Sequence, residues 1–226
     1  MGLILSLETA TRTCSVALGK NGQLLAYKDF HLEQYSHAEK LNTMIIDLLE
    51  DEGVDWNDID AIAVSEGPGS YTGLRIGVST AKGLCYARNL PLIAINSLAS
   101  LANRAASNAH DYRCPMFDAR RMEVYAAVYD QNNKEVKSTE PVIIDEFSFK
   151  DLLENGSVLF MGPGAEKCQD VIVHPNTNFD LTTNVSARGM VKLAEQNFQE
   201  KNFVDVAYFE PNYLKSFIAG QPKKLL

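Results

Sequence analysis

The apolar residues of this chain fall into short, regularly spaced runs, and their spacing predicts an alternation of strands and helices. Leu3, Ile4, Leu5 and Leu7 form a run of strand length ending at Glu8. Cys14–Leu18 is a second run, after the polar turn Thr9-Ala10-Thr11-Arg12. Asn21-Gly22 separates it from a third, Leu24–Phe30. Asn-Gly between apolar runs predicts a tight hairpin, because both central residues of a type I′ turn need positive φ. The pattern therefore opens with a three-stranded antiparallel meander. A helix is predicted over 36–50, with Ser36 as N-cap and Glu39 three residues on completing a capping box. Ile59–Ser65 reads as a buried strand, 70–87 as a second helix, Pro91–Ile95 as another strand, and 97–106 as a third helix. Strands and helices alternating after a meander need crossover connections, hence a mixed sheet with helices on its faces.

From Arg113 the pattern changes. Pro115–Asp118, Glu123–Tyr129, Val142–Ile144 and Val158–Met161 read as short strands, with Arg120-Arg121 in the turn between the first two. The stretch 187–198 reads as a helix, with Met190, Val191, Ala194 and Phe198 at helical spacing. A break near Asn108–Tyr112 divides the chain into a first lobe, 1–108, and a smaller second α/β lobe, 109–226. The last helix can pack on either lobe, and 220–226 reads as a loose tail.

Two helices carry more than a single buried face requires. In the first, Leu41, Met44, Ile45, Ile46, Leu48 and Leu49 cover an arc of roughly 200°, wider than one packed stripe. Such a helix sits deep in a core or is shared between its sheet and a partner, and its place near the N-terminus favours sharing. The second holds Gly73, Gly77 and Gly83, each about 1 kcal/mol worse than alanine in a helix interior. Close approach of another backbone offsets that, either from the helix's own sheet or from a partner's helix. The partner face expected on these grounds is Leu41, Met44, Ile45 and Leu48 with Gly73, Leu74, Gly77, Val78 and Ala81.

Charge narrows the function classes. The 226 residues carry a formal net charge of −8, and no basic stripe of the kind that binds RNA unaided is visible. Arg120-Arg121 and Lys223-Lys224 are isolated pairs that read as solvated surface, so any nucleic acid is expected to be held mainly by another subunit. The four cysteines lie far apart without metal or redox spacing, as reduced core thiols do. No apolar run reaches the ~20 residues that span a bilayer, and no signal peptide is read at the start. Met-Gly-Leu-Ile-Leu-Ser matches the myristoylation pattern formally, but its leucines belong to the first strand. A cytoplasmic protein is expected.

The most informative stretch is Glu66-Gly67-Pro68-Gly69-Ser70-Tyr71-Thr72-Gly73-Leu74-Arg75-Ile76-Gly77. It follows a strand and opens a helix, where backbone amides and the helix dipole can hold an anion. Candidate nucleotide or anion contacts are Glu8 and Thr9 at the end of the first strand and Gly67, Gly69 and Ser70 in this turn. The spacing matches neither a dinucleotide fingerprint nor a P-loop. The alternative is a tight strand-to-helix turn with Ser70 or Thr72 as N-cap.

These motifs carry a family resemblance. Ser6–Thr11 with Cys14–Leu18, then Gly67–Gly77 continuing through Ser79–Leu84, then Asp118-Ala119-Arg120 with Glu123-Val124-Tyr125, resemble the TsaB (YeaZ-type) family, with a weaker match at Pro211–Leu214. Glu8 stands where that family usually has aspartate, and Arg121 where it has a small residue. The resemblance implies a two-lobed actin-like ATPase (ribonuclease-H-like) α/β fold, with mixed sheets flanked by helices. It also implies a role in making threonylcarbamoyladenosine next to the tRNA anticodon. By resemblance the partners are the metal-bearing catalytic paralogue TsaD and the ATPase subunit TsaE, with a homodimer when the partner is absent and tRNA met only through the complex. The paralogue resembles this chain around Leu92–Leu101, where it carries a helical H-x-x-x-H pair that binds metal. The matching positions here are Ser97 and Leu101, and the four histidines show no ligand spacing. No metal, no cofactor and no catalytic residue are therefore expected: a scaffolding subunit, not an enzyme. In actin-like proteins a glycine turn in the second lobe contacts adenosine, which adds Gly162 and Gly164 as candidates. The rival reading is an actin-like small-molecule ATP phosphotransferase using Glu8 and the Gly67–Gly73 turn.

Overall fold

The computed structural model describes residues 1–31, 37–105 and 109–214. β1 (Leu3–Glu8), β2 (Thr13–Lys20) and β3 (Gln23–His31) form the antiparallel meander. Asn21 at φ 54° and Gly22 at φ 76° make the turn between β2 and β3, the positive pair the hairpin needs. Then come α1 (His37–Glu52), β4 (Ala61–Gly67), α2 (Tyr71–Arg88) and β5 (Leu92–Asn96). β4 runs parallel to β1 and β5 parallel to β4, giving the sheet order β3-β2-β1-β4-β5. Alternation along β1 and β2 sends Leu3, Leu5, Leu7, Cys14, Val16 and Leu18 to the face covered by α1 and α2. Ile4 and Ala17 point the other way, with Ala61, Ala63 and Ile93.

The chain continues through α3 (Ser97–Ala102), β6 (Tyr112–Asp118), β7 (Glu123–Asp130), β8 (Glu135–Ile143), α4 (Lys150–Asn155), β9 (Val158–Met161), β10 (Thr177–Asp180) and α5 (Val191–Gln199). The second sheet has the order β10-β9-β6-β7-β8. One face packs on Leu152 and Leu153 of α4 and on Cys168 and Ile172. The other takes Leu98, Leu101 and Ala102 of α3. α5 returns to the first sheet, where Met190, Val191 and Ala194 cover Ile4, Ala17 and Ile93. Residues 109–214 are thus continuous in sequence but divided between the two sheets. The break expected near Asn108 and the tail 220–226 fall partly or wholly outside the described residues, as does the Ser36 cap.

Four elements depart from the sequence pattern. α3 ends at Ala102 rather than 106: Asn103 closes it, bonding the Ala99 carbonyl through its own backbone and the Gly189 carbonyl through its amide side chain at 3.2 Å. β8 starts at Glu135, seven residues before the apolar Val142. It is an edge strand, exposed along much of its length and carrying Lys137, Glu140 and Pro141, so it lacks the alternation that marks a half-buried strand. α4 and β10 have no counterpart in the pattern, being six and four residues long.

Candidate functional site

The strand-to-helix turn is built as its glycines suggest, and it is full. Ser70 caps α2, its Oγ accepting from the Gly73 amide at 3.2 Å, while the Ser70 amide donates to the Ala10 carbonyl at 2.7 Å. Gly67 has φ +117°, which a Cβ disfavours, and an added Cβ would lie 2.9 Å from the Asn212 carbonyl oxygen. The Asn212 amide in turn donates to the Glu66 carbonyl at 2.7 Å. A Cβ at Gly69 would run into Ala10, and one at Gly73 or Gly77 into Thr9. The close approach that offsets these glycines therefore comes from the chain's own β1–β2 turn. Gly83 has no such neighbour, a Cβ there meeting nothing within 4 Å.

Glu8 points into this packing, fully buried. Its Oε1 accepts from the Ala10 amide at 2.7 Å, and among the described residues Oε2 meets no hydrogen-bond partner of good geometry. Burial pushes its pKa up to about 7, outweighing the lowering by the Ala10 amide, the Ser65 hydroxyl and the Thr9 amide. A carboxyl so placed braces the turn that follows it. The candidate anion contacts Glu8, Thr9, Gly67, Gly69 and Ser70 lie around one turn, packed on Ala10, Gly73, Gly77 and Asn212. In the second lobe Gly162 has φ +95°, and a Cβ there would meet Leu101 Cδ2 and the Met116 carbonyl. The Gly164 amide donates to the Met116 carbonyl at 2.9 Å, and the residue lies on the Phe117–Asp118 backbone. This turn is a seat for β6 and α3, not an open cradle.

Ser97 and Leu101 are fully buried, Leu101 in the core beneath the second sheet. Among the described residues no group of three or more His, Cys, Asp or Glu converges in a metal-holding arrangement. His37 is buried at the start of α1 rather than on the surface, its Nε2 bonding the Thr11 carbonyl at 2.9 Å. Burial lowers its pKa against the raising effect of that bond. All four cysteines are buried and free.

The residues expected to face a partner lie inside the chain. Leu41, Met44, Ile45, Leu48, Leu74, Val78 and Ala81 are all buried in the chain's own core, and Gly73 and Gly77 are buried against Thr9. The apolar arc of α1 is wide because α1 touches both β2 and α2. Only Ile46 of that arc is exposed. What the two helices present outward is a groove of about 500 Å³, lined by Ala38 and Asn42 of α1 and Tyr71, Arg75, Ile76 and Ser79 of α2. At its rim Tyr71 stacks on Tyr213, ring centroids 4.9 Å apart, and accepts a hydrogen bond from Arg75 at 2.9 Å. Sequence reasoning passed over Tyr71, Arg75 and Tyr213 as site residues. The one signal was a tyrosine and an arginine four apart at the start of α2, and Tyr213 carried none.

Residues 31–219 match the model of the TsaD family, tRNA N6-adenosine threonylcarbamoyltransferase. The tRNA threonylcarbamoyladenosine biosynthesis protein TsaB of Escherichia coli (strain K12) is 32% identical over 226 residues, covering 96% of each chain. The protein of the same name from Haemophilus influenzae is 30% identical, covering 94% of this chain and 93% of its own. The solved structure of YeaZ from Pseudomonas aeruginosa superposes with a TM-score of 0.84 at 29% identity, covering 95% of this chain and all of that one.

Proposed function

The chain belongs to the TsaB family, and from that membership we propose that it serves tRNA threonylcarbamoyladenosine biosynthesis as a subunit with no catalytic chemistry of its own. The observation that carries the second half is the closure of the strand-to-helix turn. The Ser70 amide, the Gly73 amide and the space above Gly67 are taken by Ala10, Ser70 and Asn212. Glu8, at the end of the strand that packs on this turn, is buried, and burial pushes its pKa up to about 7. A phosphotransferase needs that turn open and that acid ionised toward a metal-bound phosphate, so the ATP-using alternative is not favoured. Ser97 and Leu101, at the positions where the paralogue's metal-binding histidines are expected, supply one hydroxyl and no imidazole.

In this reading the catalytic partner is a TsaD-type paralogue, the ATPase subunit TsaE joins the pair, and tRNA is met only through the assembly. The partner docks on the outward groove of α1 and α2, around Tyr71, Arg75 and Ser79, and two copies of the chain use the same face when the paralogue is absent. Aromatic and arginine side chains in a shallow groove have the composition of interface anchors. The test is turnover by the isolated chain and by the chain mixed with the paralogue. Alone it should neither hydrolyse ATP nor transfer threonylcarbamoyl from its adenylate to tRNA above background. Stoichiometric turnover by the single protein would overturn the scaffold reading.

A further inference from the structure

The Asp118-Ala119-Arg120 motif has no role in the site just described, yet the turn that holds it is unusual. Arg120 at φ 71° and Arg121 at φ 49° are consecutive residues with side chains in the left-handed region, a conformation that a Cβ disfavours. The turn is clamped into it. Lys167 Nζ, reaching in from the segment after β9, donates at 2.6 Å to Asp118 Oδ1 and to the carbonyls of Arg121 and Glu123. The Arg120 amide donates to the same Asp118 oxygen at 2.8 Å, and the Ala119 amide to the Glu123 carbonyl at 3.0 Å.

This clamp also decides which charges stay free. Lys167 takes Asp118 as its partner, so one of the two carboxylates that flank the arginines in sequence, Asp118 and Glu123, is already paired. Both arginines are exposed, and neither guanidinium has a hydrogen bond or ion pair among the described residues. Several other cations are matched, Lys28 with Asp51, Lys137 with Asp151 and Arg188 with Asp29. In a chain with 29 acidic and 21 basic residues, two adjacent guanidiniums on a rigid hairpin tip concentrate positive charge where the rest of the surface dilutes it.

We propose that Arg120 and Arg121 contact successive backbone phosphates of the RNA on which the assembly acts. This rests on the reading of the chain as a subunit of a tRNA-modifying complex. Guanidinium forks match phosphate oxygens bidentately, and a convex tip suits a backbone better than it suits the flat, charge-depleted core of a protein interface. Two phosphates are too few to hold RNA unaided, which agrees with the acidic balance of the whole chain. Ile143 and Phe147 are exposed near the tip, the Ile144 amide bonding the Met122 carbonyl at 2.7 Å. A protein partner seated on that apolar flank is the competing occupant.

The experiment uses the complex of this chain with its catalytic paralogue and an unmodified tRNA transcript, titrated at several salt concentrations. The double variant Arg120→Ala/Arg121→Ala should assemble normally but bind tRNA more weakly. Its slope of log K against log salt should be shallower by about 0.7–0.9 for each phosphate that is no longer neutralised. Arg120→Lys/Arg121→Lys, which keeps the charge, should restore the slope. An unchanged slope and affinity in the alanine variant would overturn the inference. So would failure of the alanine variant to assemble, which would assign the tip to a protein interface. A wild-type chain that fails to join the paralogue, or a wild-type complex that ignores tRNA, defeats the functional reading itself and the inference with it.

Discussion

At the scale of single residues, Glu8 and Gly77 show how the closed turn is held and how it fails. Burial holds the Glu8 proton up to about pH 7 in the folded chain, against 4.5 for the unperturbed group, so between those values the folded state binds more protons than the unfolded one. Stability from this group is whole below pH 4.5 and is lost as pH rises through about 7, a change of about 3 kcal/mol. Urea unfolding from about pH 5 to about pH 8 should show this decline, and Glu8→Gln, which carries no charge at any pH, should flatten it. An equally steep decline in the variant would assign the effect to another group. Gly77→Leu places a side chain on Thr9. Overpacking there should cost about 1–3 kcal/mol, read as a lower melting temperature of the isolated chain.

At the scale of elements, α1 and α2 each turn one face to the core and another to the outward groove proposed for the partner, and substitutions separate the two. Met44 is 8% exposed within the first core, so Met44→Asp buries an unpaired charge and should cost several kcal/mol of folding stability. Ser79 lies in the outward groove. Ser79→Trp should leave the melting temperature within a few degrees of wild type while lowering affinity for the paralogue at least tenfold, measured by calorimetry or ultracentrifugation. Wild-type affinity in a folded Ser79→Trp protein would remove the groove as the docking face. The strand β8 shows the opposite limit: an edge strand defended by charge and proline carries little apolar signal, so only pairing with β7 reveals where it begins.

At the scale of the whole molecule, α5 and the segment after it tie the later part of the chain to the first sheet. Val204 bridges to Leu92, Lys82 holds the carbonyls of Ala207 and Phe209 at 3.0 Å, and Asn212 and Tyr213 close on the α2 turn. The net charge of −8 belongs to this scale too. The isolated chain should bind tRNA only feebly at about 150 mM salt, because phosphate neutralisation supplies most non-specific affinity. Submicromolar binding in a fluorescence titration would contradict that.

The first lobe was legible from local pattern because each of its signals is short-range. Asn21-Gly22 demands positive φ at two adjacent residues, Ser70 caps the amide three positions on, and the apolar alternation of β1 and β2 assigns their two faces. The glycines of α2 announced a close approach, since their cost in a helix requires one. Which surface approaches them depends on atoms far along the chain. Thr9 and Ala10 reach Gly69, Gly73 and Gly77 across some sixty residues, and Asn212 reaches Gly67 across more than a hundred. The wide apolar arc of α1 is likewise explained only by what packs on it, β2 and α2, for a helix between its sheet and a neighbouring helix has the composition of one shared with a partner. Sequence alone determined the elements of the first sheet, the family and the need for tight packing at α2. Tertiary structure decided what fills that space: it buries the apolar arc of α1 and leaves the groove beside it as the outward face of the two helices.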